Sequence, residues 1–121
     1  MADRSAPPGQ ATTADGVTIE LAWSLAEDPR AAAVVTHPHP LMGGDMHNPV
    51  PAGVARALAA AGVTAVRLSF RGAGGSGGEH GGGDPERADV VAALDELAGV
   101  VPGVPLIGVG YSFGADVLLA V

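Results

Sequence analysis

A chain of 121 residues with no cysteine, 47% hydrophobic residues and a formal net charge of −7 has room for one modest core, but none for a disulfide framework or a thiolate metal site. Its acidic balance gives no field that would gather phosphate backbones or anionic lipid, so neither nucleic acid nor a membrane surface is an expected partner. Gly, Pro or charge breaks every apolar run well short of the roughly 18 residues of a membrane span, and the opening residues lack the apolar stretch of a signal peptide, so a cytoplasmic location is expected.

Residues 1–15 are polar, proline-bearing and aperiodic and read as a mobile lead-in. A single α/β domain is expected from residue 16 onward. Residues 17–25 place Val17, Ile19, Leu21, Trp23 and Leu25 on one side, the period-2 pattern of a strand with one covered face. Residues 31–36 form a short continuous apolar run ended by Pro38, which suits a strand buried on both faces. Past the loop HPHPLMGGDMHNP, helical spacing relates Val50, Val54, Ala57, Leu58 and Ala61. Asn48 can cap that helix, Pro49 and Pro51 sit in its tolerant first turn, and Gly62 stops it.

Residues 63–70 are the next strand. They lead into RGAGGSGGEHGGG, where glycine prevents any regular element from persisting. Asp84 and Pro85 open a second helix with an apolar stripe of Val90, Val91, Leu94, Leu97 and Ala98, closed by Gly99. Asp89, Asp95 and Glu96 are expected on its exposed face, and Glu79 and His80 in solvent. A buried strand follows at 104–109, and residues 115–121 begin a third helix. Strands alternating with helices at these lengths describe βαβ units, hence an α/β fold with a mostly parallel sheet covered on both faces.

The pentapeptide GYSFG at 110–114 fits G-x-S-x-G, a turn so sharp that its serine is held in a strained backbone conformation. In a chain with 19 glycines the pattern alone is weak. The apolar run PLIGV before it and the helix-compatible ADVLLAV after it supply the context that the chemistry needs. Ser112 is then the candidate nucleophile, Gly110 and Gly114 the glycines that let strand and helix approach, and the Phe113 N–H the first donor to an oxyanion. A second donor is expected from the loop after an earlier strand, at HPHPLMGG. Pro38 and Pro40 have no N–H, so Leu41 is the expected donor beyond the proline pair, with Met42 next. His37 and His39 are expected to shape that loop by hydrogen bonding.

Three segments, HPHPLMGGDMHNPV at 37–50, VRLSFRGAGGSGG at 66–78 and GVGYSFGADVLL at 108–119, together resemble a bacterial family of small α/β-hydrolases. The resemblance runs from about Val17 to Val121 and implies an esterase-like or acyl-hydrolase activity on a small-molecule ester or acyl substrate, with no cofactor and no metal. It also implies a nucleophilic role for Ser112, oxyanion donors at Phe113 and the loop at Leu41, and a structural role for Arg71 and Gly72. Family members tend to carry Asn or Asp where this chain has Ser69.

In that fold the acid and the histidine follow the serine, yet after Ser112 come only Asp116 and no histidine. The chain therefore reads as the N-terminal portion of such a domain, with a strand edge left unpaired at 104–109 and no Ser112-dependent turnover expected of the 121 residues alone. A non-catalytic, truncated or decayed hydrolase is the alternative. GAGGSG at 72–77 also satisfies the dinucleotide-binding pattern G-x-G-x-x-G, but its helix does not begin until Asp84. The spacing H-x-H-x₅-D-x-H at 37–47 departs from tight metal patterns.

Overall fold

A computed structural model describes residues 6–121. Five strands, β1 (Gln10–Thr12), β2 (Thr18–Ser24), β3 (Ala31–Val35), β4 (Val63–Leu68) and β5 (Leu106–Val109), form one sheet in the order β1-β2-β4-β3-β5. The pairing is parallel among β4, β3 and β5 and antiparallel where β1 and β2 extend the sheet, which is therefore mixed. Helix α1 (Pro49–Ala60) joins β3 to β4, α2 (Arg87–Val100) joins β4 to β5, and α3 (Phe113–Leu119) follows β5.

Alternation along β3 and β4 divides the core in two. Ala32, Val34, Val66 and Leu68 face a cluster with Val90, Ala93 and Leu97 of α2 and Phe113 and Val117 of α3. Ala31, Ala33, Val35, Val63 and Ala65 face the other way, where Ala55, Val54 and Leu58 of α1 cover them. An uninterrupted apolar strand buried on both faces follows from this sandwiching.

The differences from the sequence reading have local causes. Residues 10–12 pair antiparallel with β2, so residues 10–15 belong to the folded body and the mobile lead-in is not their state. Pairing of so short a strand is carried by its backbone, which leaves little pattern in the side chains. The buried stripe of α1 centres on Pro51 and Ala55, while Val50 and Ala57 are exposed. On α2, Val91 and Ala98 are exposed, and the helix continues through Gly99 to Val100. Asn48 stands at the start of α1 without capping it through its side chain; instead its Oδ1 accepts from Asp45 N–H at 2.8 Å. β5 is not buried: Leu106 and Ile107 are 46% and 41% exposed, because among the described residues it is an edge strand of the sheet.

The strand order places the site. From β3 the chain crosses to β4 on one side, and from β4 it returns over β3 to β5 on the other. The loops leaving the carboxyl ends of β3 and β5 therefore meet where the order reverses, the position at which open α/β sheets hold their ligands.

Candidate active site

At the end of β5 the chain turns through Gly110, Tyr111 and Ser112 into α3. Ser112 has φ 57° and ψ −121°, and among the described residues it is the one non-glycine with positive φ. Gly114 N–H donates to Tyr111 O at 3.1 Å, closing a tight turn in which Ser112 occupies the position that glycine takes in a type II′ turn. Such a conformation costs a residue with a Cβ about 1–3 kcal/mol and persists only where surrounding structure enforces it. A Cβ on Gly110 would lie 2.5 Å from Ala115 Cα, and one on Gly114 would lie 2.7 Å from His37 O and collide with Thr36 Oγ1. The first glycine lets α3 fold back over β5, and the second seats α3 against the end of β3. Ser112 is exposed and makes no side-chain cap to its own helix. The Phe113 N–H has no acceptor among the described residues.

The loop after β3 begins with His37, which is fully buried. Its Nε2 accepts the Phe70 N–H at 2.9 Å, and its Nδ1 lies 2.6 Å from Pro38 O, so the ring proton belongs on Nδ1. Pro40–Met42 then form a single 3₁₀ turn. Within it the Leu41 N–H donates to His39 Nδ1 at 3.1 Å, and the N–H groups of Met42, Gly43 and Gly44 donate to His39 O and Pro40 O. The donors expected at Leu41 and Met42 are thus already engaged. His39 N–H, between the two prolines, makes no hydrogen bond to a described residue. It was the group passed over in the sequence, although an N–H flanked by residues that have none is itself a signal.

Burial holds the His37 imidazole below its ordinary value of 6.5, since protonating Nε2 would also break the bond from Phe70. An unfolded chain takes up a proton near 6.5 that the folded one resists, so this residue's contribution is complete above that pH and is lost as pH falls below it. The urea midpoint is expected to fall as pH is lowered below about 6.5; a midpoint unchanged by that acidification would contradict this.

Two further groups correct the sequence reading. His80 is not in solvent: its side chain is 14% exposed, and its Nδ1 lies 3.1 Å from Oε2 of the fully buried Glu86. Its ring packs at 4.5 Å on His39 and 5.4 Å on Phe113, and His39 packs at 4.8 Å on Phe113. Asp89 is not on an exposed face: it is fully buried and receives three hydrogen bonds from Arg71. The glycine-rich loop offers no phosphate cradle, since the Gly75 N–H donates to Glu20 Oε1 at 2.7 Å and a carboxylate occupies the place of an anion. Ser69 links this loop to the neighbouring one, donating to Glu20 and accepting from Met46 N–H. No cluster of metal-ligating side chains occurs among the described residues, and none of their helices is long and apolar enough to cross a membrane.

Compared with solved structures, the chain superposes on a serine hydrolase without a lid from Xanthomonas campestris with a TM-score of 0.84 and 36% identity, covering 91% of this chain and 52% of that one. The fold is that of an α/β hydrolase. An α/β serine hydrolase homologue from Coxiella burnetii is similar at a TM-score of 0.83 and 30% identity, over 92% of this chain and 55% of that one. By sequence, 99 residues are 41% identical to the uncharacterized protein RP471 of Rickettsia prowazekii (strain Madrid E), covering 80% of this chain and 42% of that protein. The chain spans about half the length of these relatives. No protein-family model matches it.

Proposed function

We propose that Ser112 is the nucleophile of a serine hydrolase centre that accepts esters or related small acyl compounds. The main-chain N–H groups of Phe113 and His39 would be its oxyanion donors. The strained backbone of Ser112 carries this reading, since a fold gains nothing in stability from a positive-φ serine where glycine would fit. The similarity to the Xanthomonas and Coxiella proteins supports it. His39 takes the role first expected of Leu41 because, within residues 39–44, its N–H alone is uncommitted.

The base is a separate matter. Residues 113–121 hold Asp116, exposed one turn along α3, and no histidine. Of the earlier histidines, His37 has both ring nitrogens engaged, and none hydrogen-bonds to Ser112. Within these 121 residues alone the hydroxyl has no base and stays a neutral alcohol, and only the residual rate of an oxyanion hole remains, about 10³–10⁴ over water in serine proteases stripped of a triad member. That is too slow for turnover of a nitrophenyl ester but sufficient for slow stoichiometric capture.

Incubation of the 121-residue chain with a fluorophosphonate at mildly alkaline pH tests the reading. Oγ of Ser112 bonds to phosphorus, fluoride leaves, and the hydroxyl proton passes to solvent hydroxide. Peptide mass spectrometry is expected to find the label on Ser112 and not on Ser24, Ser69 or Ser76, with no steady release of nitrophenol from a nitrophenyl ester. Label spread evenly over the serines, or absent, overturns the nucleophile; steady turnover abolished by Ser112→Ala overturns the lack of a base.

A further inference from the structure

We propose that His80, anchored on Glu86, is a positioning residue that holds both oxyanion donors in register, an inference that rests on the nucleophilic role of Ser112. The two donor groups belong to residues on different elements, His39 in the loop after β3 and Phe113 at the start of α3. Their rings meet at 4.8 Å, and the ring of His80 lies against both, at 4.5 Å and 5.4 Å. Phe70 closes the group from below, at 4.8 Å from His37 and 5.4 Å from Phe113. A wedge shared by two donors fixes their separation, which is the quantity an oxyanion hole depends on.

His80 reaches this position from a glycine-rich segment that cannot hold itself. Gly78, Gly81, Gly82 and Gly83 flank it, and three of these have positive φ. Two features set the path. A Cβ on Gly72 would lie 2.6 Å from the His80 backbone N, so the loop folds directly onto that glycine. The Glu86 carboxylate accepts the N–H groups of Gly81 at 2.8 Å and Gly83 at 3.1 Å. The same carboxylate stands 3.1 Å from His80 Nδ1, off the line of a straight hydrogen bond. Glu86 is fully buried, immediately before α2, and so ties a mobile type of segment to the rigid helix. In residues 78–83 the one side chain directed at the site is that of His80; Glu79 is exposed.

The experiment follows the rate of fluorophosphonate capture at Ser112 in the 121-residue chain, together with the backbone amide resonances of His39 and Phe113. His80→Ala is expected to slow capture about tenfold or more and to shift both amides. His80→Phe, which restores the ring, is expected to return capture to within about threefold of the parent, and both amides toward their original positions. His80→Gln, which keeps a polar side chain beside Glu86 without the ring, is expected to be as slow as His80→Ala. Capture at the parent rate in His80→Ala, or in His80→Phe no faster than in His80→Gln, overturns the proposal. Should His80→Ala not fold, the comparison of Phe with Gln decides alone. If the parent chain itself takes no label at Ser112, the nucleophile reading fails, and the amide shifts still report whether His80 holds the two donors.

Discussion

Glycine in place of Ser112 is expected to make the protein more stable and chemically inert at once. At φ 57° and ψ −121° a side chain costs about 1–3 kcal/mol, and glycine removes that term. The freer unfolded chain offsets roughly 0.5–1 kcal/mol of the gain. A net rise of about 1 kcal/mol should appear as a higher urea midpoint at unchanged slope. Ser112→Ala, which keeps the Cβ, should lose the label and leave the midpoint near that of the parent. The hydroxyl itself makes no cap, so its removal has little to take from stability. A lower midpoint for Ser112→Gly would mean that the conformation is not strained, and the principal support for a nucleophile at this position would go with it.

That trade between stability and presentation explains why so much of the neighbourhood is glycine. Gly110 and Gly114 cannot accept a Cβ without displacing Ala115 or the end of β3, so the turn is closed from both sides and Ser112 has no other conformation available. Topology adds the loop after β3 beside it, because β5 is laid down on the far side of β3 from β4. The proposed nucleophile is thus local in sequence, while the two N–H groups proposed as its oxyanion donors are joined only by the sheet.

This division also marks what the sequence could disclose. β3 and β4 were legible as apolar runs because both faces are covered, and Ser112 because its glycines flank it between a strand and a helix. β1 left no periodic trace. The proposed second donor was illegible at the level of residue type: every non-proline residue of residues 39–44 has an N–H, and only the 3₁₀ turn at Pro40–Met42, with His39 Nδ1 capping Leu41, determines which one is left over. Asp89 was misplaced for a different reason. Positions 86, 89, 90, 93 and 97 fall on one helical stripe and all are buried, so periodicity alone would have put Asp89 inside. Its charge was allowed to outweigh it, and buried charge is tolerated once it is paired.

Removal of the Asp89 carboxylate is accordingly expected to be the most destabilising single change in the protein. Oδ2 accepts the Arg71 backbone N–H at 2.8 Å, and Oδ1 accepts Nε at 3.0 Å and Nη2 at 2.8 Å. Arg71 is itself buried, at 5% exposed. Burial pushes the Asp89 carboxyl up, and the hydrogen bonds from Arg71 oppose it; the pair is stable as a pair and each half costly alone. Asp89→Ala strands a guanidinium and an amide in the core, a loss of about 3–5 kcal/mol, which is a large part of the 5–15 kcal/mol typical of a whole domain. Arg71 has a second partner in Asp15, through bonds of 2.7 Å and 3.1 Å. Those bonds hold the Asp15 carboxyl well below the usual carboxylate range. That side chain, however, is 52% exposed, and water can replace it, so Asp15→Ala should cost far less. Asp89→Asn, which keeps one acceptor, should fall between the two. Urea midpoints in the order Asp15→Ala, Asp89→Asn, Asp89→Ala, from highest to lowest, are the expected result. Equal midpoints for the two alanine variants would show that the charge of Arg71 is satisfied from the surface, and that the loop behind the nucleophile is fastened by β1 and residue 15 instead of by α2.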